Sequence, residues 1–211
     1  MSREFLSDVA KVAPLDSRRV APSSTNLSLT DERTASAEVL ALFARYRERF
    51  ARTDLPGIVL CFGTNSALLK GMLEIAENLL FCDTLLSRRH KEMIATYVSQ
   101  QNACPYCADS HGTMLAAQGT SPEMICALQE GDLNAQLFTS AELAMLKFTG
   151  KVDANSSAVT RDDVEATMRS GWTEAQVAEA VHIAALFAAF NRVANGFGLP
   201  SPYPDGLRDQ L

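Results

Sequence analysis

Apolar residues recur at helical spacing along most of the chain, whereas the alternation typical of β-strands is scarce. The first helical pattern follows Thr30-Asp31-Glu32, a capping hydroxyl with acids behind it, and we expect this helix to reach about Ala51. A second begins at Asn65 or Ser66 and continues through Leu80. Further helix starts are predicted at Ser87, Cys104, Ser121, Thr139, Thr160 and Thr173. Frequent Ala and Leu agree with this pattern, which predicts an all-α fold.

The two ends of the chain differ from this pattern. Residues 1–29 contain serines and prolines, and Pro14 and Pro22 limit helix formation, so we interpret this segment as an N-terminal arm. We assign residues 30–211 to one domain, because no low-complexity segment divides them. The stretch closest to a membrane span, 178–194, is interrupted by polar and charged residues and falls short of the ~20 apolar residues required. We therefore expect no membrane-spanning segment.

Composition and charge narrow the classes of function. Hydrophobic residues make up 47% of the chain, enough for a full core. A net charge of −6 and the lack of a basic cluster argue against a nucleic-acid partner. The five cysteines are an odd number, and no secretory signal is visible at the N-terminus. These features predict a reducing, cytoplasmic environment, in which a close cysteine pair is catalytic or metal-binding rather than structural.

Cys104 and Cys107 form such a pair in a CxxC motif, and His111 follows four residues after the second cysteine. Pro105 suits the first position of a helix, so we expect Cys104 to cap a helix over about 104–119. Because a helix turns by about 100° per residue, both thiols and the imidazole fall on one face. The positive end of the helix favours thiolate, and His111 is a base close enough to take the proton. This arrangement is typical of a redox-active dithiol.

Glu92 lies in the first half of the preceding helix, which Ser87 caps. A short polar connection joins that helix to the CxxC helix, so the Glu92 carboxylate can face the dithiol. Its neighbours Arg88, Arg89 and Lys91 are charged, and by themselves they would indicate a solvated surface acid. Spacing relative to the cysteines is what makes Glu92 a candidate for proton transfer.

Taken together, Glu92, eleven further residues, and then Cys104-x-x-Cys107-x-x-x-His111 resemble the active-site motif of the alkylhydroperoxidase AhpD family. That family belongs to the carboxymuconolactone decarboxylase superfamily. The segment Phe190-Asn-Arg-Val-Ala-Asn195 resembles its peroxidase-related branch. Some AhpD proteins carry a histidine between the two cysteines, where this chain has Tyr106. A proton relay through that histidine therefore does not carry over.

The resemblance implies an AhpD-like helical fold and a thiol-dependent peroxidase that reduces alkyl hydroperoxides. It implies that Cys107 attacks the peroxide, that Cys104 resolves the product as a Cys104–Cys107 disulfide, and that an external dithiol or thioredoxin-like protein reduces it. Glu92 and His111 would carry the proton. It also implies a homo-oligomer and no metal, haem or flavin cofactor.

The residues alone leave the attacking cysteine open. The helix terminus favours Cys104, whereas His111 lies one helical turn from Cys107 and favours that thiol. Three other interpretations also remain. Cys104, Cys107 and His111 could hold zinc, with Glu92 or His90 as fourth ligand, although no second CxxC is present. A redox-sensing scaffold without enzyme activity is the second. A carboxymuconolactone decarboxylase-like enzyme is the third, although such members typically lack the cysteine pair.

Two Ala-rich helical stretches of the chain could be related as an internal repeat. Glu179 precedes Asn191 by the interval that separates Glu92 from Cys104. The chain could therefore contain a degenerate repeat of the helix pair that has lost its second set of cysteines. The resemblance also makes Asn191 and Arg192 candidates to approach the dithiol.

Overall fold

The structure is a computed structural model that describes residues 25–134 and 136–202. The predicted arm therefore lies outside the described residues, except for its last five positions. Within the described ranges the fold is all-α, as predicted. The α-helices are α1 (Ala37–Phe50), α2 (Gly57–Phe62), α3 (Ser66–Ile75), α4 (Arg88–Gln101), α5 (Pro105–Ala116), α6 (Pro122–Glu130), α7 (Ser140–Asn155), α8 (Arg161–Arg169) and α9 (Glu174–Phe197).

Side-chain caps set most of the helix starts where the sequence predicts them. Ser87, Ser121, Thr139, Thr160 and Thr173 each accept a backbone N–H in the first turn of the helix that follows. Three of these starts are full capping boxes, in which an acid or amide at the third helical position bonds back to the cap. Local sequence therefore fixes the start of each of these helices.

Before Ser87, three features of the structure differ from the prediction. The first helix begins at Ala37 rather than Thr30, because Ser36 is the cap and Asp31 instead accepts the Arg33 N–H in a turn. The second helix keeps its α-form only to Ile75 and continues as a π-helix, Ala76–Leu80. The apolar segment 55–63, which we did not assign to a helix, contains α2.

The centre of the domain is built from α4, α7 and α9. Their inward faces form one apolar cluster that includes Ile94 and Val98 of α4, Phe148 of α7, and Ile183 and Phe187 of α9. Burying a side chain of this size contributes roughly 1.5–3 kcal/mol to stability. By length and composition alone, α9 could cross a membrane. It lies instead within this cluster, and core helices share those properties.

A residue of α9 also stabilises the turn that leads into α4. Glu179 accepts hydrogen bonds from the Thr84 hydroxyl and from the backbone N–H groups of Leu85 and Leu86, just before α4 begins. The buried ammonium of Lys91 lies 3.2 Å from the same carboxylate. Glu179 thus stabilises a turn at the position that the possible repeat would match to Glu92. The repeat itself stays a prediction.

Candidate active site

A sharp turn between α4 and α5 places the first cysteine. Ala103 adopts a left-handed conformation with φ of 47°, which is uncommon for a residue with a side chain. The N–H of Cys104 donates to the carbonyl of Ser99 at 2.9 Å, and Cys104 then occupies the N-cap of α5 with Pro105 in the first helical turn. The predicted start of the CxxC helix is therefore confirmed. Its end, at Ala116, precedes the predicted position 119.

Cys104 and Cys107 are both buried, with 1% and 4% of their surfaces exposed, and both are free thiols. Donation from Cys107 lowers the pKa of Cys104, and it outweighs the effect of burial. The same bond, together with burial, holds the pKa of Cys107 well above its ordinary value. These opposite pKa directions belong to the two thiols as a pair, because each one shifts the pKa of the other.

Glu92 and His111 meet between the two helices. The Nδ1 atom of His111 is 2.6 Å from Oε2 of Glu92, and only 2% of Glu92 is exposed. A carboxylate can only accept, so Nδ1 carries the proton and Nε2 is the nitrogen left to exchange one. Arg88, one turn before Glu92, donates to its other carboxylate oxygen at 3.4 Å. Glu92 is thus not the surface acid that its charged neighbours alone would indicate, and its carboxylate faces the CxxC helix.

A cavity connects this pair with one of the two sulfurs. Cys107 and His111 both line it, whereas Cys104 does not. Its empty volume is about 690 Å³, part of which is open to solvent. The remaining walls are largely apolar, with five aromatic side chains: Tyr46, Phe81, Tyr106, Phe187 and Phe190. The ring of Phe187 packs edge-on against His111 at 4.5 Å between centroids.

Tyr106 stands between the two cysteines and ties α5 to α2. Its hydroxyl accepts the N–H of Ile58 at 3.1 Å, one of the donors that the start of α2 leaves unpaired. Burial raises the pKa of the phenol well above its usual range, so it stays neutral. The residue found where some AhpD proteins have a histidine therefore holds the cavity wall in place.

Asn191, on α9, is fully buried, and its Nδ2 donates to the Ser99 hydroxyl at 2.9 Å. Its amide lowers the pKa of both Cys104 and Cys107. Arg192 does not reach them, since its side chain is exposed and donates to the carbonyl of Ala188. Sequence reasoning missed the contribution of Arg88, although its spacing of four residues before Glu92 was a visible signal.

The side chains do not gather as the zinc interpretation requires. Among residues 25–134 and 136–202, no three His, Cys, Asp or Glu side chains converge in a way that could hold a metal ion. The Nδ1 atom of His111 is already hydrogen-bonded to Glu92. The constellation is instead a dithiol, an imidazole and a carboxylate arranged around an apolar cavity, which can exchange protons and electrons with a soft electrophile.

This combination of fold and site has known counterparts. The model of the carboxymuconolactone decarboxylase family matches residues 66–149, a segment that contains Glu92, both cysteines and His111. The chain is therefore similar, in this segment and in its helical fold, to AhpD-like members of that superfamily. A peroxidase-related or carboxymuconolactone decarboxylase-like function is the broad class that this supports. No curated protein matches the chain significantly.

Solved structures resemble the fold over most of its length. An uncharacterized peroxidase-related protein from Ralstonia eutropha JMP134, described as an alkylhydroperoxidase AhpD core, is 22% identical with a TM-score of 0.75, covering 84% of this chain and 92% of that chain. A peroxidase-related protein from Silicibacter sp. TM1040 is 22% identical with a TM-score of 0.71, covering 85% and 91%. The debrominase Bmp8 is 17% identical with a TM-score of 0.66, covering 88% and 97%. At these identities the likeness establishes the fold.

Proposed function

We propose that the protein is a thiol-dependent peroxidase that reduces organic hydroperoxides through a dithiol–disulfide cycle of Cys104 and Cys107. One observation carries the proposal: Cys107 and His111 line the same apolar cavity, and His111 is bonded to the buried Glu92. A substrate in that cavity would meet a sulfur nucleophile and a proton donor together.

Cys107 is the attacking residue, because it is the cysteine that borders the cavity. The pKa directions favour Cys104 as the resting thiolate, so the two observations conflict for the free pair. Transfer of the Cys107 proton to Cys104 would resolve this conflict, because it leaves a thiolate at Cys107. The cavity position is the stronger guide, because an attacking atom must reach the peroxide.

The reaction then proceeds in two steps. The Cys107 thiolate attacks the outer peroxide oxygen, the O–O bond breaks, and the leaving alkoxide takes a proton from His111, whose charge Glu92 stabilises. Cys107 is now a sulfenic acid. The Cys104 sulfur attacks the Cys107 sulfur, the S–O bond breaks, and the hydroxyl group leaves as water with the proton of Cys104. The dithiol loses two electrons, and the hydroperoxide becomes an alcohol and water.

An external dithiol or thioredoxin-like protein would return the disulfide to two thiols by exchange. The proposal also includes a cytoplasmic location, where such reductants are abundant, and assembly as a homo-oligomer. The walls of the cavity favour an organic hydroperoxide over hydrogen peroxide, because its apolar part would bury the aromatic and aliphatic surface there.

A second candidate function is reductive dehalogenation. One structure with this fold, at a TM-score of 0.62, is a debrominase Bmp8 variant in complex with 2,3,4-tribromopyrrole. Five aromatic residues line the cavity here, which favours a flat, apolar ring. The Cys107 thiolate would take a bromine atom from carbon, His111 would supply the proton that replaces it, and Cys104 would release bromide as the disulfide forms.

Intact mass and thiol alkylation test both candidates. We expect one equivalent of cumene hydroperoxide to remove two alkylatable thiols and two mass units, mapped to Cys104–Cys107, and an added dithiol to restore them. Release of bromide from a bromopyrrole with the same loss of thiols, and no reaction with peroxides, would support dehalogenation instead. Thiols that stay unchanged with either substrate would contradict the dithiol cycle.

A further inference from the structure

One wall of the cavity belongs to the segment between α3 and α4. This wall segment, residues 76–84, begins with the π-helix Ala76–Leu80, and three of its side chains line the cavity: Ala76, Leu80 and Phe81. π-helices are rare and occur frequently at functional sites. The dithiol cycle proposed above does not explain what holds this segment in place.

A fully buried ammonium holds the wall segment by its backbone. The Nζ atom of Lys91, a residue that is 1% exposed, donates to the carbonyl of Leu79 at 2.7 Å and to that of Cys82 at 2.9 Å. In the chain, these two carbonyls lie on either side of Leu80 and Phe81. Lys91 therefore fixes the stretch of backbone that carries both of these cavity-lining side chains.

Two further partners fix the ammonium itself. Lys91 also donates to the Thr84 hydroxyl, and it lies 3.2 Å from the carboxylate of Glu179, a buried residue of α9. The Thr84 hydroxyl donates in turn to the same carboxylate. A buried charge is costly unless it is paired and hydrogen-bonded, so these bonds keep the lysine where it can reach the wall segment.

A second cation of α4 contacts the wall segment at the ring of Phe81. The guanidinium carbon of Arg88 lies 5.3 Å from the ring centroid, within the range of a cation–π contact. Arg88 is buried and also donates to Glu92. The helix that carries Glu92 therefore also holds one wall of the cavity that Cys107 and His111 line.

We propose that Lys91, paired with Glu179, is a positioning residue for substrate binding, because it holds Leu80 and Phe81 ready to receive the apolar part of the substrate. This inference rests on the function proposed above. A preformed wall needs little ordering when a ligand binds, whereas a wall that the ligand must order weakens affinity. Lys91 and Glu179 thus support binding from outside the cavity, since neither lines it.

Isothermal titration calorimetry on the reduced protein tests this inference. The probe is 2-phenyl-2-propanol, the alcohol that cumene hydroperoxide would yield. Removing Lys91 alone would leave Glu179 buried without its cation, so the variant is Lys91→Met combined with Glu179→Gln. We expect its dissociation constant for the alcohol to rise about 10-fold. Phe81→Leu, which changes the wall itself, should also weaken binding.

A double-mutant cycle separates positioning from a general loss of stability. In a Phe81→Leu protein, Lys91→Met with Glu179→Gln should raise the dissociation constant by only about 2-fold more, because its main target in the wall is gone. An equal effect with and without the Phe81 ring would mean that Lys91 does not act through the wall, and it would overturn the inference.

Arg89→Met combined with Glu142→Gln is the matched control. It also neutralises an ion pair of α4, in which Arg89 donates to the buried Glu142 of α7, away from the cavity. Its dissociation constant should equal that of the unmodified protein. An unchanged constant in Lys91→Met with Glu179→Gln, or no binding by the unmodified protein, would also overturn the inference. Because the alcohol binds without turnover, the expected shifts in a protein that reduces no peroxide would refute the peroxidase proposal and keep the role of Lys91.

Discussion

His111 and Glu92 lie on consecutive helices, and their side chains meet at 2.6 Å, where the carboxylate fixes the proton on Nδ1 of the imidazole. Glu92 is buried and also accepts a hydrogen bond from Arg88, so two partners hold its carboxylate in position. The carboxylate can hold the imidazole in one tautomer and stabilise its charged form, as a buried acid does for a catalytic histidine in other enzymes.

Glu92→Gln tests that role. Glutamine keeps the shape but not the charge, so the imidazolium that protonates the leaving alkoxide loses its stabilisation. We expect kcat/KM for an organic hydroperoxide to fall by about 100-fold, within the range that general acid catalysis contributes. Glu142→Gln is the control, because Glu142 is also buried and also bonded to an arginine, Arg89, but lies away from the cavity. Equal losses in both variants would mean that the effect is structural.

Replacing each cysteine in turn separates their roles. Cys104→Ser and Cys107→Ser should both lose turnover, since either change prevents the disulfide. After one equivalent of peroxide, Cys104→Ser should retain a sulfenic acid on Cys107, which dimedone traps and mass spectrometry locates. Cys126→Ser, a change in a partly exposed thiol of α6, should leave turnover intact. Dimedone on Cys104 in the Cys107→Ser variant would reverse the assignment.

Most of the helices and much of the site could be predicted from local sequence. Capping residues are short-range signals, so Ser87, Thr139 and Thr173 mark their helices correctly. The same kind of signal misled at Thr30, because a hydroxyl followed by acids also forms a turn. The π-helix at Ala76–Leu80 was not predicted, because the spacing of apolar residues there indicates an α-helix that continues through Leu80.

The parts of the site that depend on tertiary contacts were beyond a single sequence. The charged neighbours of Glu92 predict a surface position, yet Arg88 and Lys91 are themselves buried and bonded. The hydrogen bond from Ile58 to Tyr106 joins residues 48 positions apart, and that between Asn191 and Ser99 spans 92. No local pattern encodes such pairs.

The cavity predicts a preference for larger substrates. Met114 lines it one turn beyond His111, so Met114→Trp should narrow it. We expect kcat/KM for cumene hydroperoxide to fall about 10-fold or more relative to that for hydrogen peroxide, because only the bulky substrate needs the space. Met124→Trp is the control, since Met124 is a half-buried residue of α6 outside the cavity. If the ratio of kcat/KM for the two peroxides does not change in Met114→Trp, the substrate does not bind in this cavity.

Tyr106→Phe tests the link between α5 and α2. Loss of the phenol leaves the Ile58 N–H without its partner, and we expect the free energy of unfolding to fall by about 1–2 kcal/mol. The measurement is chemical denaturation of both proteins in the reduced form. Tyr46→Phe, a change in the other tyrosine of the cavity, should cost less because Tyr46 does not bond to α2. An equal loss in both variants would argue against the Ile58 bond as the cause.

Asp109 gives a prediction with a defined pH direction. Burial raises its pKa from an ordinary value of 3.8, although the Ser201 hydroxyl bonds to the carboxylate and opposes the shift. A folded pKa above the unfolded one means that stability is greatest at low pH. The contribution of Asp109 to stability is lost as the pH rises from 3.8 to the raised pKa. Above that pKa the loss no longer changes with pH.

Asp109→Asn removes that ionisation while an amide can still bond to Gln129 and Ser201. We therefore expect the variant to gain stability over the unmodified protein as pH rises through this window, when unfolding by urea is followed at several pH values. Asp109 also raises the pKa of Cys104. In a pH titration followed by the ultraviolet absorbance of thiolate, the lowest-pH step should therefore move to lower pH in the same variant. Asp132→Asn, a change in an exposed acid after α6, is the control and should alter neither property. A step that moves to higher pH in Asp109→Asn would show that Asp109 stabilises the thiolate, which would contradict the expected repulsion between the two negative charges.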